Sequence, residues 1–155
     1  MIGFPYAFRG LIGLIMRERN FRIHLVAAYY VTVFSFLYGL DRSEYAVLAV
    51  TVFLVLALEC VNTVVEAVVD MKTMRRTVYG QFAKDAAAGG VLLGAIGAVA
   101  VGICLFGNIE KLWQAWHVFS GSDFWICMFL VPLAPLVLFV IGKKSWKKPG
   151  GDKEL

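Results

Sequence analysis

Charge is what this chain has least of. Only 17% of its 155 residues are charged while 60% are hydrophobic, and a mean hydropathy of +0.75 is too high for a water-soluble domain of this length. Soluble enzymes and solvated charged modules are thereby excluded, and the composition specifies an integral membrane protein. Cysteine is also rare. Cys60, Cys104 and Cys127 each lie in an apolar run without a CxxC pair, which excludes a zinc framework or a disulfide scaffold and leaves them as packing residues. The N-terminus begins apolar and turns basic between Arg9 and Arg22. This is the reverse of a secretory leader, so no cleaved leader is expected.

What the chain has is long apolar runs. Residues 5–20 carry Phe8, Leu11, Ile12 and Ile15 at helical spacing with Arg9, Arg17, Glu18 and Arg19 between or after them, which predicts an amphipathic surface helix in the headgroup region. Three membrane spans follow, at about residues 24–40, 45–70 and 84–106, with a tight polar turn at Asp41-Arg42-Ser43-Glu44. In the third span Ala86, Gly90, Gly94, Ala98 and Gly102 place a small residue at every fourth position. Such a ridge lets helix backbones approach closely in lipid and predicts a packing seam. Residues 108–123 read as a polar, Trp-rich connection outside the bilayer, with Trp113 and Trp116 suited to an interfacial belt. A fourth span is predicted at 124–142, kinked at Pro132 and Pro135, followed by a basic, disordered tail at 143–155. The expected architecture is thus an all-α membrane protein with a surface helix, three spans in a unit covering 1–107, and an additional C-terminal span.

Charge bias predicts the orientation. Of 15 Lys and Arg, thirteen fall before the first span, between the second and third, or after the fourth, and only Arg42 and Lys111 lie in the other two connections. By the positive-inside rule both termini are cytoplasmic. The net charge of +4 then reports topology and contact with anionic lipid; no nucleic-acid partner is expected.

Four polar residues stand where a membrane helix should carry none. Glu59, Asn62, Glu66 and Asp70 fall within roughly 80° of one another around a helix. Acids in a span face a bundle interior or an aqueous cleft and mark function, because an ionised carboxylate in hydrocarbon costs several kcal/mol or more. The predicted second span of 26 residues is about 39 Å long against a hydrocarbon core of about 30 Å. Its inner end therefore projects into the headgroups, with Glu59 about 16 Å back from Asp70, just inside the leaflet. Glu18, Lys84 and Asp85 gather on the same side. Carboxylates beside a lysine at headgroup depth suit phosphoryl transfer, in which a hard cation needs oxygen ligands, a phosphate needs a cation, and the attacking hydroxyl needs a base. There is no GxxxxGK[ST] loop and no protein-kinase Gly-rich loop, so any ATP site is of another design.

PYAFRGL (residues 5–11), ERNFRIH (18–24), ECVNTVVEAVVD (59–70) and AKDAAAG (83–89) together resemble the small prokaryotic diacylglycerol kinases, a family that includes the undecaprenol kinases of Gram-positive bacteria. The likeness covers residues 5 to 106, and NFRIH and KDAAAG look more like the undecaprenol kinase branch. It implies a homotrimer of the bacterial inner membrane, with active sites between neighbouring subunits, that moves the γ-phosphate of MgATP to a lipid hydroxyl. Carried over by motif, Glu59 would be the general base and Asn62 would orient the catalytic face. Glu18 and Glu66 would bind Mg²⁺; Tyr6, Glu18, Glu66, Asp70, Lys84 and Asp85 would meet the nucleotide; Arg9, Arg22 and Glu59 would meet the lipid. The departures are Thr77, where members of the family usually carry a histidine, and the fourth span.

Each residue also has a plainer reading. Glu59 could be a buried acid paired within the bundle, Asn62 a helix–helix hydrogen bond, Glu18 a solvated charge and Lys84 an interfacial anchor. His24, alone at the head of the first span, reads as a packed or interfacial residue. The leading functional expectation is undecaprenol kinase, with diacylglycerol as the alternative acceptor. The reading of a different class is a small proton-coupled transporter with Glu59 as its binding carboxylate.

Overall fold

A computed structural model describes residues 3–72 and 77–121. The expected fourth span at 124–142 and the tail at 143–155 lie outside them. Five helices follow one another: α1 (Gly3–Arg17), α2 (Arg19–Tyr38), α3 (Arg42–Lys72), α4 (Val78–Phe106) and α5 (Ile109–Phe119). Among them α2, α3 and α4 are long and apolar enough to cross a membrane, with mean hydropathies of 1.3, 2.3 and 2.3. The protein is thus the all-helical membrane fold that the sequence predicts.

The surface helix and the first span are separated by a single residue. Glu18 takes an extended conformation (φ −95°, ψ 115°) as the N-cap of α2. The Arg22 guanidinium reaches back across the break, and its Nη1 donates to the carbonyls of Ile15 and Met16 at 3.2 Å each. A cation on the last carbonyls of α1 satisfies groups that have no partner inside that helix and suits the negative end of its dipole. Helix α1 leaves Phe4, Phe8, Leu11, Ile12 and Met16 exposed, the apolar face of a helix that lies in an interface.

At the opposite end of the bundle two caps fix the α2–α3 turn. Gly39 closes α2 with φ +73° and donates its N–H to Ser35 O at 3.0 Å, a left-handed conformation that glycine adopts without Cβ strain. Asp41 then opens α3. Its Oδ1 accepts from the N–H of Ser43 (2.8 Å) and of Glu44 (2.9 Å), while Glu44 Oε2 accepts from the Asp41 N–H at 2.8 Å. The polar turn expected at 41–44 is therefore a reciprocal capping box. Tyr38, Leu40, Leu48 and Ala115 form a small core beneath it. The Tyr38 hydroxyl accepts from Asn108 N at 3.1 Å. That bond ties α5, a helix within the stretch expected to be a plain connection, to the end of α2.

Helices α3 and α4 make the most extensive packing. The less exposed positions of α4 include Gly80, Lys84, Ala87, Val91, Gly94, Ala98, Val101 and Leu105, spaced by four and three as in a seam of period 3.5, with Ala83, Gly89, Gly90, Ala95, Gly102 and Phe106 flanking them. A Cβ placed on Gly94 would come within 2.5 Å of Leu58 Cδ1, so the Leu58 side chain lies directly against the α4 backbone there. Four of the five residues of the small-residue ridge, Gly90, Gly94, Ala98 and Gly102, are among these less exposed positions. Each step of four overshoots a full turn by about 40°, and Ala86, at the ridge's start, has already rotated out to an exposed position. On α3 the most buried stripe is Leu48, Val52, Val55, Glu59, Asn62. The apolar core face becomes the polar face without changing direction.

Candidate active site

The polar stripe of α3 divides by depth. Glu59 is 3% exposed and Asn62 7%, whereas Glu66 and Asp70 are exposed. The first two lie inside the bundle because they continue the heptad positions of Val52 and Val55. The last two lie where α3, 31 residues and so about 46 Å long, outruns a hydrocarbon core of about 30 Å.

Three contacts organise the site. Asn62 Nδ2 donates to Glu66 Oε1 at 3.0 Å; an ionised carboxylate only accepts, which fixes the amide nitrogen on that side. Asn62 Oδ1 is left buried with no hydrogen-bond partner. His24 Nε2 lies 4.0 Å from Glu59 Oε2, with the imidazole one quarter exposed. Lys84 Nζ, from the first turns of α4, donates to Asp70 Oδ1 at 2.5 Å. Beside it, Gln81 Nε2 donates to Asp85 Oδ1 at 2.8 Å, and Asp85 lines an open surface cleft with Thr77, Val78, Gln81 and Phe82. Thr77, the departure from the family pattern, caps α4 by accepting from Gly80 N at 3.1 Å.

An apolar cavity of about 310 Å³ begins at His24 and runs between α2, α3 and α4, bounded by Ala28, Val52, Val55, Ala98 and Gly102 among others. Glu59 is not part of its wall; the carboxylate stands 4.0 Å from the lining His24, and the other lining residues, Thr51 apart, are apolar side chains and glycine of the membrane-spanning helices.

The other expected site residues are placed as follows. Glu18, half-buried at the α1–α2 break, and Glu66 both stand within electrostatic range of Glu59. Tyr6 and Arg9 lie exposed on α1, the guanidinium carbon 5.6 Å from the Tyr6 ring centroid, one turn apart and paired with each other. Arg22 is engaged with the end of α1. His24 is the residue that sequence reasoning set aside. It shares a 3–4 spacing with Phe21, Ala28, Val31, Ser35 and Tyr38, of which Phe21, Ser35 and Tyr38 are buried. That register already points it inward.

The residues suit a divalent cation shared with phosphate oxygens. Among the described residues no three His, Cys, Asp or Glu converge to hold a metal unaided. Glu18 and Glu66 both place negative charge near Glu59, an environment that a cation would relieve, and carboxylate oxygens are the donors a hard ion prefers.

Comparison with known proteins converges on the same stretch. The sequence profile of prokaryotic diacylglycerol kinase matches residues 5–106. The chain is 43% identical over 107 residues to a diacylglycerol kinase of Synechocystis sp., covering 68% of this chain and 61% of that protein. It is 34% identical over 103 residues to an undecaprenol kinase of Bacillus subtilis, covering 66% and 84%. The match thus spans less than two thirds of the Synechocystis relative. No solved structure matches the chain. A profile match over residues 5–106, with the acids of α3 and the lysine of α4 inside it, establishes that the chain belongs to the prokaryotic diacylglycerol kinase family.

Proposed function

We propose that the protein is a lipid kinase of the bacterial inner membrane that transfers the γ-phosphoryl group of MgATP to the hydroxyl of undecaprenol. One observation carries the reading: Glu59 is buried 4.0 Å from His24, a lining residue of an apolar cavity, while the acids that follow it on the same helix face are exposed. A greasy alcohol and a charged nucleotide can meet only at such a boundary.

The residues divide the work. Glu59 accepts the hydroxyl proton as the lipid oxygen bonds to phosphorus and ADP leaves with the electron pair of the broken P–O bond. Asn62 holds Glu66 through Nδ2 and offers its unused Oδ1 to a donor in the site. Glu66 and Glu18 would hold the magnesium ion, which when bound offsets phosphate charge and orients the transferring group. Lys84 and Asp85 contact the nucleotide from α4, with Asp70 beside them and Tyr6 above. Releasing Lys84 from Asp70 costs little, since an exposed pair is worth about 0–1 kcal/mol. Arg9, and Arg22 through the end of α1 that it holds, keep the surface helix over the lipid headgroup.

The likeness of NFRIH and KDAAAG to the undecaprenol kinase branch supports undecaprenol as acceptor. Diacylglycerol is the second reading, favoured by the 43% identity to a protein of that name. The clustering of Glu18, Glu66, Asp70, Lys84 and Asp85 at one end of the bundle speaks against a transporter, which needs its groups near the midplane. A homotrimer with shared sites is part of the proposal; in one protomer none of the 29 residues of α4 is buried, which leaves its flanks open to neighbouring copies. Cytoplasmic termini follow from the charge bias.

The test presents purified protein in lipid with MgATP and either undecaprenol or diacylglycerol, and follows ADP release. Faster turnover with undecaprenol is expected. Preference for diacylglycerol would replace the acceptor, and no turnover with either lipid would overturn the kinase reading.

A further inference from the structure

We propose that His24 is a positioning residue for Glu59, donating from Nε2 to Oε2 so that the second carboxylate oxygen is turned toward the cavity where the lipid hydroxyl arrives. The proposal rests on the lipid kinase reading above. Four observations support it. Nε2 and Oε2 stand 4.0 Å apart, a distance that a small side-chain movement closes and that catalytic pairs commonly show before substrate binds. Glu59 is 3% exposed, so water cannot fix its orientation. The imidazole forms part of the cavity wall, so it borders both the base and the space the acceptor would fill. Finally, the inward register of Phe21, Ser35 and Tyr38 holds His24 on the packed face of α2.

The surroundings favour a donor at this point. Glu66 from the same helix as Glu59, and Glu18 from the α1–α2 break, both place negative charge near Glu59. Arg22, two residues nearer the break, is turned back to the carbonyls of α1. An N–H from α2 therefore offsets like-charge repulsion at the base and gives the carboxylate one orientation. A carboxylate free to rotate would spend part of its time with the wrong oxygen forward, and misplacement of about 1 Å can cost on the order of 10²-fold in rate.

The experiment compares wild type, His24→Ala and His24→Gln in lipid with MgATP and undecaprenol or diacylglycerol, reading kcat and the KM for ATP separately. It adds the imidazole ¹⁵N resonances of wild type and Glu59→Gln. With only two histidines in the chain, His24 and His117, the signals are assigned by substitution. The expected results are a kcat lowered roughly 10- to 100-fold in His24→Ala with the KM for ATP unchanged, kcat largely restored in His24→Gln, whose amide can still donate, and a His24 resonance that moves when Glu59 becomes Gln. Undiminished kcat in His24→Ala, an equal loss in His24→Gln and His24→Ala, or a His24 resonance indifferent to Glu59→Gln would each overturn the role. A wild type inactive with both lipids, in which the His24 resonance still responds to Glu59→Gln, would overturn the kinase reading and leave the pair standing.

Discussion

Asn62 holds Glu66 at 3.0 Å through its amide nitrogen while its own oxygen is buried without a partner. A helix built for stability alone would not keep that arrangement, because a buried acceptor left unsatisfied costs about 1–3 kcal/mol. Asn62→Leu is expected to unfold no earlier than wild type in a thermal melt in detergent, since it removes the orphaned acceptor and nearly conserves volume. Its kcat should fall by about 10-fold or more, because a single donor or acceptor aimed at reacting groups is worth that much. Activity and stability moving down together would mark Asn62 as a packing residue only.

Lys84 and Asp70 pair at the mouth of the site, 30% and 68% exposed. For Lys84→Met the melting temperature is expected to change by no more than an exposed pair supplies, about 0–1 kcal/mol. The KM for ATP should rise about 10-fold, because a desolvated phosphate contact is worth more than a solvated ion pair. An unchanged KM would leave Lys84 as an interfacial anchor.

Asp41 offers a pH test far from the chemistry. The Ser43 hydroxyl, then the Glu44 and Ser43 backbone N–H groups, donate to its carboxylate and hold its pKa below the usual range. A folded-state pKa below the unfolded value of about 3.9 means that its stabilisation is complete above that value and lost as the pH falls through the folded one. Wild type should therefore lose melting temperature more steeply below about pH 4 than Asp41→Ala, which should melt lower than wild type at pH 7. Parallel curves would show that the cap contributes nothing.

Much of this was legible in the sequence, and the omissions have physical causes. The stripe Glu59, Asn62, Glu66, Asp70 needed only the helical period, and the three spans needed only apolar length. The break at Glu18 was hidden because neither Gly nor Pro marks it; the interruption is stabilised by Arg22 reaching back across it. That long-range bond also explains why α2 begins at Arg19 rather than near residue 24, since a cation bonded to carbonyls can lie at the head of a span. The small-residue ridge was legible from its spacing, since Gly90, Gly94, Ala98 and Gly102 are half-buried and only Ala86 is exposed, as a period of four drifts around a helix. Helix α5 was concealed by its short length, although Ile109, Leu112, Trp113 and Trp116 repeat at helical spacing. His24 was set aside on the habits of lone histidines, when its register with Phe21, Ser35 and Tyr38 already turned it toward the bundle.

The α3–α4 seam admits a graded test at Gly94. A Cβ there meets the tip of Leu58 at 2.5 Å, and that tip can swing aside. Gly94→Ala should change stability by less than about 1 kcal/mol, the steric cost being offset by the gain in helix propensity. Gly94→Leu should cost about 1–3 kcal/mol, with Leu58→Ala recovering part of the loss. A Gly94→Leu protein that melts like wild type would show that the two helices do not meet there.

The account depends most on Glu59 as the base that meets a lipid hydroxyl inside the leaflet. Its direct test is lipid-dependent ADP release by Glu59→Gln beside wild type, both in lipid with saturating MgATP and with ATP binding measured on the same samples. The prediction is a kcat lower by about 10²-fold or more with ATP affinity retained. A Glu59→Gln protein that phosphorylates its lipid as fast as wild type would contradict it.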